Sequence, residues 1–192
     1  MSIPQKIGEE KIVYQGKIIE VVEQCMKIGD KEKVFEFARR SPGTRMIVVN
    51  EHNEILITKE WRSELNDYDY RLPGGKVFDT LEEYTTSLQH QDDILQHAIQ
   101  GVTKEAQEEC GIAITNPELF AISKCGATVV WDLYYFVVTN FTELEHNELE
   151  EGEHIVGRER MTSSAVKTLC LSDQFSEERS ALILLKYLET HT

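Results

Sequence analysis

Basic residues are scarce in this 192-residue sequence: 20 Lys and Arg stand against 34 Asp and Glu, which gives a formal net charge of −14. So negative a chain has no nonspecific attraction to nucleic-acid phosphates or anionic lipids, and we expect neither a nucleic-acid partner nor a membrane partner. Long apolar runs are also missing, since the run at residues 181–185 is far shorter than the ~20 residues of a membrane-spanning helix. The first 17 residues are too polar for a signal peptide, so we expect a cytoplasmic location.

Cysteine is rare as well, with four residues in the chain: Cys25, Cys110, Cys125 and Cys170. No two of them form a CxxC pair, and none has a histidine at the spacing of a zinc finger. We therefore expect free thiols in a reducing compartment rather than disulfides or a zinc site.

The distribution of turn residues divides the chain into two parts. β-Branched residues before residue 40 predict strands, and GDKEK at 29–33 predicts a hairpin turn between two of them. SPGT at 41–44 then interrupts the pattern. We predict a small β-rich N-terminal subdomain at 1–40 and a main domain at 41–192, in which the apolar run at 128–141 forms one long strand.

Helical signals lie among the strands of the main domain. Thr80 and Glu83 have the spacing of a capping box and predict a short helix at 80–89. A longer helix should begin near Asp92 or Asp93 and end before Gly111. Its apolar stripe consists of Leu95, Ala98, Ile99, Val102 and Ala106. With a third, amphipathic helix at 176–189, the pattern predicts an α/β (α+β) fold around a mixed sheet.

Three carboxylates are crowded at the end of the longer helix. Glu105, Glu108 and Glu109 are three and four positions apart, so they share one stripe next to the apolar one. Like charges at that spacing repel each other, which a hard divalent cation with oxygen ligands would reverse. From the residues alone, a solvated helix face and a Mg²⁺ site both remain open.

The segment KEAQEECGI at 104–112 resembles the second half of the Nudix box, and LPGG at 72–75 is similar to the turn that opens that box. The resemblance implies a Nudix-type α/β/α sandwich around a mixed sheet. Two departures stand out. Lys104 replaces the arginine of the box, and 29 positions separate Gly75 from Lys104, so about 15 residues are inserted and Gln96 stands where the family has an earlier glutamate.

KEWR at 59–62 resembles the strand end of ADP-ribose pyrophosphatases and related nucleoside-diphosphate-sugar hydrolases. That branch implies a homodimer formed through the N-terminal subdomain. It also implies Mg²⁺, with Mn²⁺ as a substitute, bound by Gly74, Glu105, Glu108 and Glu109. Glu108 and Lys104 are implied as catalytic residues, with Glu151 or Glu153 in the later acidic loop as the general base. Arg62 and Gly75 are implied in binding the substrate.

The expected activity is Mg²⁺-dependent hydrolysis of the diphosphate of a nucleoside-diphosphate sugar, with ADP-ribose as the first candidate, to a nucleoside monophosphate and a sugar phosphate. Two other functions remain open. The first is a catalytically weak Nudix-fold protein that binds a ligand or regulates a partner, which Lys104, Gln96 and the insertion favour. The second is a house-cleaning hydrolase of nucleoside triphosphates.

Overall fold

A computed structural model describes residues 3–145 and 155–191 of the chain. The candidate base residues Glu151 and Glu153 therefore lie outside the described residues. The chain divides into two compact units. The first contains the chain up to Pro42 together with Phe78–Asp92 and Lys124–Asp132, and the second contains Gly43–Val77, Asp93–Ser123 and the chain from Leu133 onward.

The first unit is a five-stranded sheet with one helix. Its elements are β1 (Gln5–Lys6), β2 (Lys11–Gln15), β3 (Glu20–Ile28), β4 (Lys31–Arg39), α1 (Leu81–His90) and β10 (Val129–Val130). Strands β3 and β4 form the predicted hairpin, and Gly29 takes a positive φ of 64° in its two-residue turn. The sequence insertion forms α1, which the Thr80 hydroxyl caps by accepting from the Glu83 N–H at 3.1 Å. The Glu83 carboxylate accepts from Asp79 N–H at 3.2 Å, one residue earlier than in the usual capping box.

Within its described residues, the second unit contains three small sheets and three helices. Its elements are β5 (Gly43–Val48), β6 (Ile55–Arg62), β7 (Asp67–Arg71), α2 (Ile94–Glu108), β8 (Ile112–Ile114), β9 (Glu118–Ser123), β11 (Leu133–Val138), β12 (Phe141–Glu143), β13 (Ile155–Met161), α3 (Ser163–Cys170) and α4 (Glu178–His191). Strand β11 is parallel to β5 and antiparallel to β9, so this sheet is mixed as predicted. The other two sheets are antiparallel and have the strand orders β13-β6-β7 and β12-β8.

Helix α2 anchors the core of the second unit. Ala98, Val102 and Ala106 are fully buried and pack with Met46 and Phe136 from the mixed sheet. Asp93 caps the helix by accepting from the Leu95 N–H at 3.0 Å, as one of the two predicted caps. The helix ends before Gly111 as predicted, and Gly111 adopts φ of 66°, a left-handed conformation that favours glycine.

The prediction of one long strand at 128–141 is wrong. The structure breaks that run into β10, β11 and β12, because the three segments pair with different partners: β4, then β5 and β9, then β8. Strand β7 and helix α3 were not predicted from the sequence. All four cysteines are free, as expected. In the part of the chain that the structure describes, the helices are too short or too polar to cross a membrane.

Candidate active site

One line of residues on helix α2 faces the segment that follows Leu72. Gly101, Glu105 and Glu109 are each four positions apart and therefore lie along one line of the helix. At Gly101 the helix backbone comes so near this segment that an added Cβ would lie 3.0 Å from the carbonyl oxygen of Lys76. The two glutamates continue along the same line, so the fold brings both of their carboxylates to the glycine turn at 73–75.

That glycine turn is held in place by the edge of β5. Met46 N–H donates to the Pro73 carbonyl, and Thr44 N–H donates to the Gly75 carbonyl, both at 2.9 Å. Gly74 adopts φ of 144°, and an added Cβ would lie 2.3 Å from the backbone oxygen of Thr44. Only glycine fits this position, because the clash would be with backbone that is itself fixed in a sheet.

Two of the three predicted carboxylate ligands, Glu105 and Glu109, contact the turn. The Gly74 N–H donates to Glu109 Oε2 at 2.6 Å, and Glu109 is 6% exposed. The Glu105 carboxylate fills the space left by the missing side chain of Gly75, since an added Cβ would lie 1.7 Å from Glu105 Oε1. The helix and the turn, far apart in sequence, thus form one acidic site.

A buried arginine lies on the other side of the turn. Arg45 donates from Nε and Nη2 to the two carboxylate oxygens of Glu177, at 2.9 and 3.1 Å. Its Nη1 donates to the carbonyls of Thr44 at 2.8 Å and Gly74 at 3.2 Å. Burial raises the pKa of Glu177, but the opposite effect of Arg45 is larger. The pKa therefore falls to about 2, and the carboxylate is charged at neutral pH.

The remaining predicted residues occupy different positions. Lys104 Nζ lies 3.5 Å from Glu108 Oε2, one helical turn along α2. Arg62 lies at the end of β6 and pairs with Glu64 at 2.6 Å and Glu60 at 3.7 Å. The role of Arg62 in binding the substrate stays a prediction.

The donor set fits a hard cation such as Mg²⁺. In residues 3–145 and 155–191 no group of three or more His, Cys, Asp or Glu side chains is arranged to hold a metal ion. Mg²⁺, however, is commonly held by one or two carboxylates together with substrate phosphates, and Glu105 and Glu109 supply two. The Gly74 carbonyl, another of the four predicted ligands, accepts a hydrogen bond from the Arg45 guanidinium.

The pairing of Arg45 with Glu177 was not predicted, although Arg45 belongs to a group of arginines near the turns of the sequence: Arg39, Arg40, Arg45, Arg62 and Arg71. One signal was present in the sequence. Arg45 is the one charged residue of the mostly buried strand β5, and a charged residue at such a position is almost always paired. The partner could not be found, because Glu177 lies 132 residues away.

Comparison with known proteins supports the fold but not a family assignment. No family model matches the sequence, and no curated protein matches it. Among solved structures the chain is similar to one described as the crystal structure of an ADP compounds hydrolase, with a TM-score of 0.68 and 13% identity. The match covers 99% of this chain and 96% of that one. The predicted fold class, a mixed α+β fold of the Nudix type, is therefore confirmed.

Proposed function

We propose that the protein is a Mg²⁺-dependent pyrophosphohydrolase that cleaves the diphosphate of a nucleoside-diphosphate sugar, with ADP-ribose as the first candidate. The contact of Glu105 and Glu109 with the turn at Gly74 and Gly75 carries the proposal. Two carboxylates converge there on a turn whose two glycines carry no side chain, which suits a dication and the phosphates bound to it. The fold shared with an ADP compounds hydrolase supports the same substrate class.

Each residue of the site would have a distinct task. Glu105 and Glu109 would hold the ion, and Glu108 would assist them while Lys104, 3.5 Å away, offsets part of its charge. The bound ion would supply Lewis acidity toward the phosphate oxygens and offset their charge. The Gly74 N–H would fix the rotamer of Glu109 by donating to it.

We assign substrate binding and the role of general base to further residues of the chain. Arg62 is 34% exposed at the end of β6, so its guanidinium is accessible to a phosphate or ribose. We propose Glu151 or Glu153 as the general base on the resemblance alone, because both lie outside the described residues. Single Gln variants of these two glutamates test the assignment: the variant of the true base should lose turnover while it retains Mn²⁺ binding.

A panel of substrates tests the activity. ADP-ribose, other nucleoside-diphosphate sugars, dinucleoside polyphosphates and nucleoside triphosphates would each be incubated with Mg²⁺, with Mn²⁺ or with EDTA, and the products separated by chromatography. We expect a nucleoside monophosphate and a sugar phosphate from one class, and none in EDTA. Inorganic phosphate or pyrophosphate from triphosphates alone would instead support the house-cleaning function.

One observation favours the alternative of a ligand-binding protein without catalysis. Lys104 pairs with Glu108 through a single ammonium, whereas an arginine could have held a carboxylate with two parallel hydrogen bonds. Under this alternative, ADP-ribose raises the melting temperature of the folded protein but yields no product with any metal. The same panel therefore separates the two functions.

We also propose that the protein is a cytoplasmic homodimer. Its first unit exposes several large apolar side chains, which supports association through that unit: Ile12, Tyr14, Ile18, Val34 and Phe35. Sedimentation velocity on the wild type and on Phe35→Lys tests this proposal. We expect a dimer that the substitution converts to monomer, and a monomeric wild type would contradict the proposal. The four free cysteines support a reducing compartment.

A further inference from the structure

The guanidinium of Arg45 uses its donors in two directions at once. Nε and Nη2 hold the carboxylate of Glu177 in a two-pronged pair, and Nη1 donates to the carbonyls of Thr44 and Gly74. The side chain is 11% exposed. An arginine so buried and so fully engaged is not a flexible contact for substrate, so its effect is exerted on the groups that it holds.

Glu177 is itself fixed from a third side. The Ser180 hydroxyl donates to Glu177 Oε2 at 2.6 Å, and the Tyr135 hydroxyl lies 3.0 Å from the Ser180 hydroxyl in a buried contact. Glu177 immediately precedes α4, and its carbonyl accepts from the Ala181 N–H at 3.1 Å in the first turn. The carboxylate that anchors Arg45 is therefore tied to both a core strand and a helix.

Gly74 connects Arg45 to the acidic site through two backbone hydrogen bonds. Its carbonyl accepts from Arg45, while its N–H donates to Glu109 at 2.6 Å. Because glycine at φ of 144° has no side chain to restrict it, these two hydrogen bonds, together with those of β5 to the turn, determine the orientation of its flanking peptides. We propose that Arg45, held by Glu177, is a positioning residue that fixes the Gly74 turn and thereby the carboxylate of Glu109.

The charges around Arg45 support the same role. Burial lowers the pKa of Arg45, but Glu177 and then Glu109 raise it more, so Arg45 stays charged between the two carboxylates. Glu177 balances that charge, which leaves Glu109 able to accept a cation. Lysine could supply the same charge, but a single ammonium cannot hold Glu177 with a fork and reach two carbonyls as well.

Arg45→Lys tests the proposal with a readout that requires neither metal nor substrate. The hydrogen-exchange rate of the Gly74 amide would be measured by NMR, because that N–H is bonded to Glu109. We expect the rate to rise by about tenfold or more in Arg45→Lys, since a charge-assisted hydrogen bond would be loosened. Mn²⁺ affinity should fall by about 10–100-fold, the usual effect of removing a group that orients a metal ligand.

Arg39→Lys is the matched control. Arg39 is also nearly buried, with a side chain that is 13% exposed, and it pairs with two carboxylates, those of Glu10 and Glu20. It belongs to the first unit, whereas the glycine turn belongs to the second. We expect it to lower stability but to leave Gly74 exchange and Mn²⁺ affinity at their wild-type values.

Glu177→Gln provides a second route if Arg45→Lys does not fold. It keeps the size of the side chain but leaves Arg45 without its counter-ion, and it should also accelerate Gly74 exchange and weaken Mn²⁺ binding. Wild-type exchange of Gly74 in a folded variant of either residue would overturn the proposal.

The expected effect on turnover rests on the proposed function: kcat should fall while KM changes little, because Arg45 does not contact substrate. If the wild type neither binds Mn²⁺ nor hydrolyses any substrate, the proposed function fails. The exchange measurement still decides the role of Arg45 in that case.

Discussion

Gly74 and Gly75 are adjacent, yet alanine at the two positions should have opposite consequences. At Gly75 the added Cβ would lie 1.7 Å from Glu105 Oε1, which is the end of a flexible side chain. At Gly74 it would lie 2.3 Å from Thr44 O and 2.8 Å from Arg45 Cα, which are backbone atoms of β5. The first clash can be relieved by rotating one carboxylate, and the second cannot.

The magnitudes follow from that difference. Moving Glu105 away from its preferred rotamer costs about 0.5–1.5 kcal/mol, so Gly75→Ala should unfold at nearly the wild-type denaturant concentration. Gly74→Ala adds a backbone conformation that disfavours a side chain, at about 1–3 kcal/mol. Overpacking against β5 adds about 1–3 kcal/mol more. We therefore expect Gly74→Ala to be clearly destabilised and Gly75→Ala to be nearly as stable as the wild type.

Gly75→Ala should nevertheless impair metal binding and turnover, although its stability is nearly that of the wild type. Gly75→Ala displaces Glu105 from the turn, so Mn²⁺ affinity and turnover should fall by about tenfold or more in a protein that remains folded. Urea unfolding measures the stability of each variant, and Mn²⁺ titration with the hydrolysis assay measures the site. Gly75→Ala with wild-type Mn²⁺ affinity and turnover would refute the role assigned to Glu105.

Three further predictions concern acid stability, the core and the substrate. The pKa of Glu177 is about 2 when folded, because Arg45 outweighs the effect of burial, so its contribution is complete above about pH 5 and is lost as the pH falls toward 2. In urea unfolding at pH 6 and pH 3, Glu177→Gln should therefore lack up to ~2 kcal/mol of the wild-type pH dependence, and an unchanged dependence would contradict this reading. Phe136→Ala, at a fully buried position of β11, should lower the free energy of unfolding by about 3–5 kcal/mol in the same assay, and a loss below ~1 kcal/mol would show that the core is misplaced. Arg62→Ala should change stability by less than ~1 kcal/mol because its ion pairs are partly exposed, while KM rises by about tenfold, and a wild-type KM would remove Arg62 from the substrate site.

Local signals predicted the helices near the site well. The capping box at Thr80 and the acidic cap at Asp93 are short-range features, and both cap helices in the structure. The spacing of Ala98, Val102 and Ala106 identified the buried face of α2 because helical periodicity depends on residues only three or four positions apart. The same spacing placed Glu105 and Glu109 on one side of the helix.

Features that depend on distant partners could not be predicted in the same way. The run at 128–141 has strong β propensity throughout, and nothing local indicates that its segments pair with different strands. The inserted segment at 78–92 belongs to the unit of the N-terminal strands rather than to the unit that contains α2. Nothing in the sequence of this segment indicates which unit it joins. The pair formed by Arg45 and Glu177 has the same origin, since chain topology alone brings those residues together.

The acidic site combines both kinds of information. Sequence spacing supplied the three glutamates and the glycine turn, but not the contacts between them. The structure adds that Glu109 is bonded to the Gly74 amide, that Glu105 occupies the space beside Gly75, and that Lys104 lies next to Glu108. These contacts depend on how α2 packs against β5, which is a property of the core rather than of the motif.

The most direct test of the central claim is ³¹P NMR of ADP-ribose incubated with Mg²⁺ and the wild type, Glu109→Gln or Glu189→Gln. Glu189 is an exposed glutamate of α4 and serves as the matched control for loss of one carboxylate. We predict that the diphosphate signals are replaced by those of two phosphate monoesters with the wild type and Glu189→Gln, and persist with folded Glu109→Gln. Equal conversion by Glu109→Gln would contradict the claim that the carboxylates at the glycine turn form the catalytic metal site.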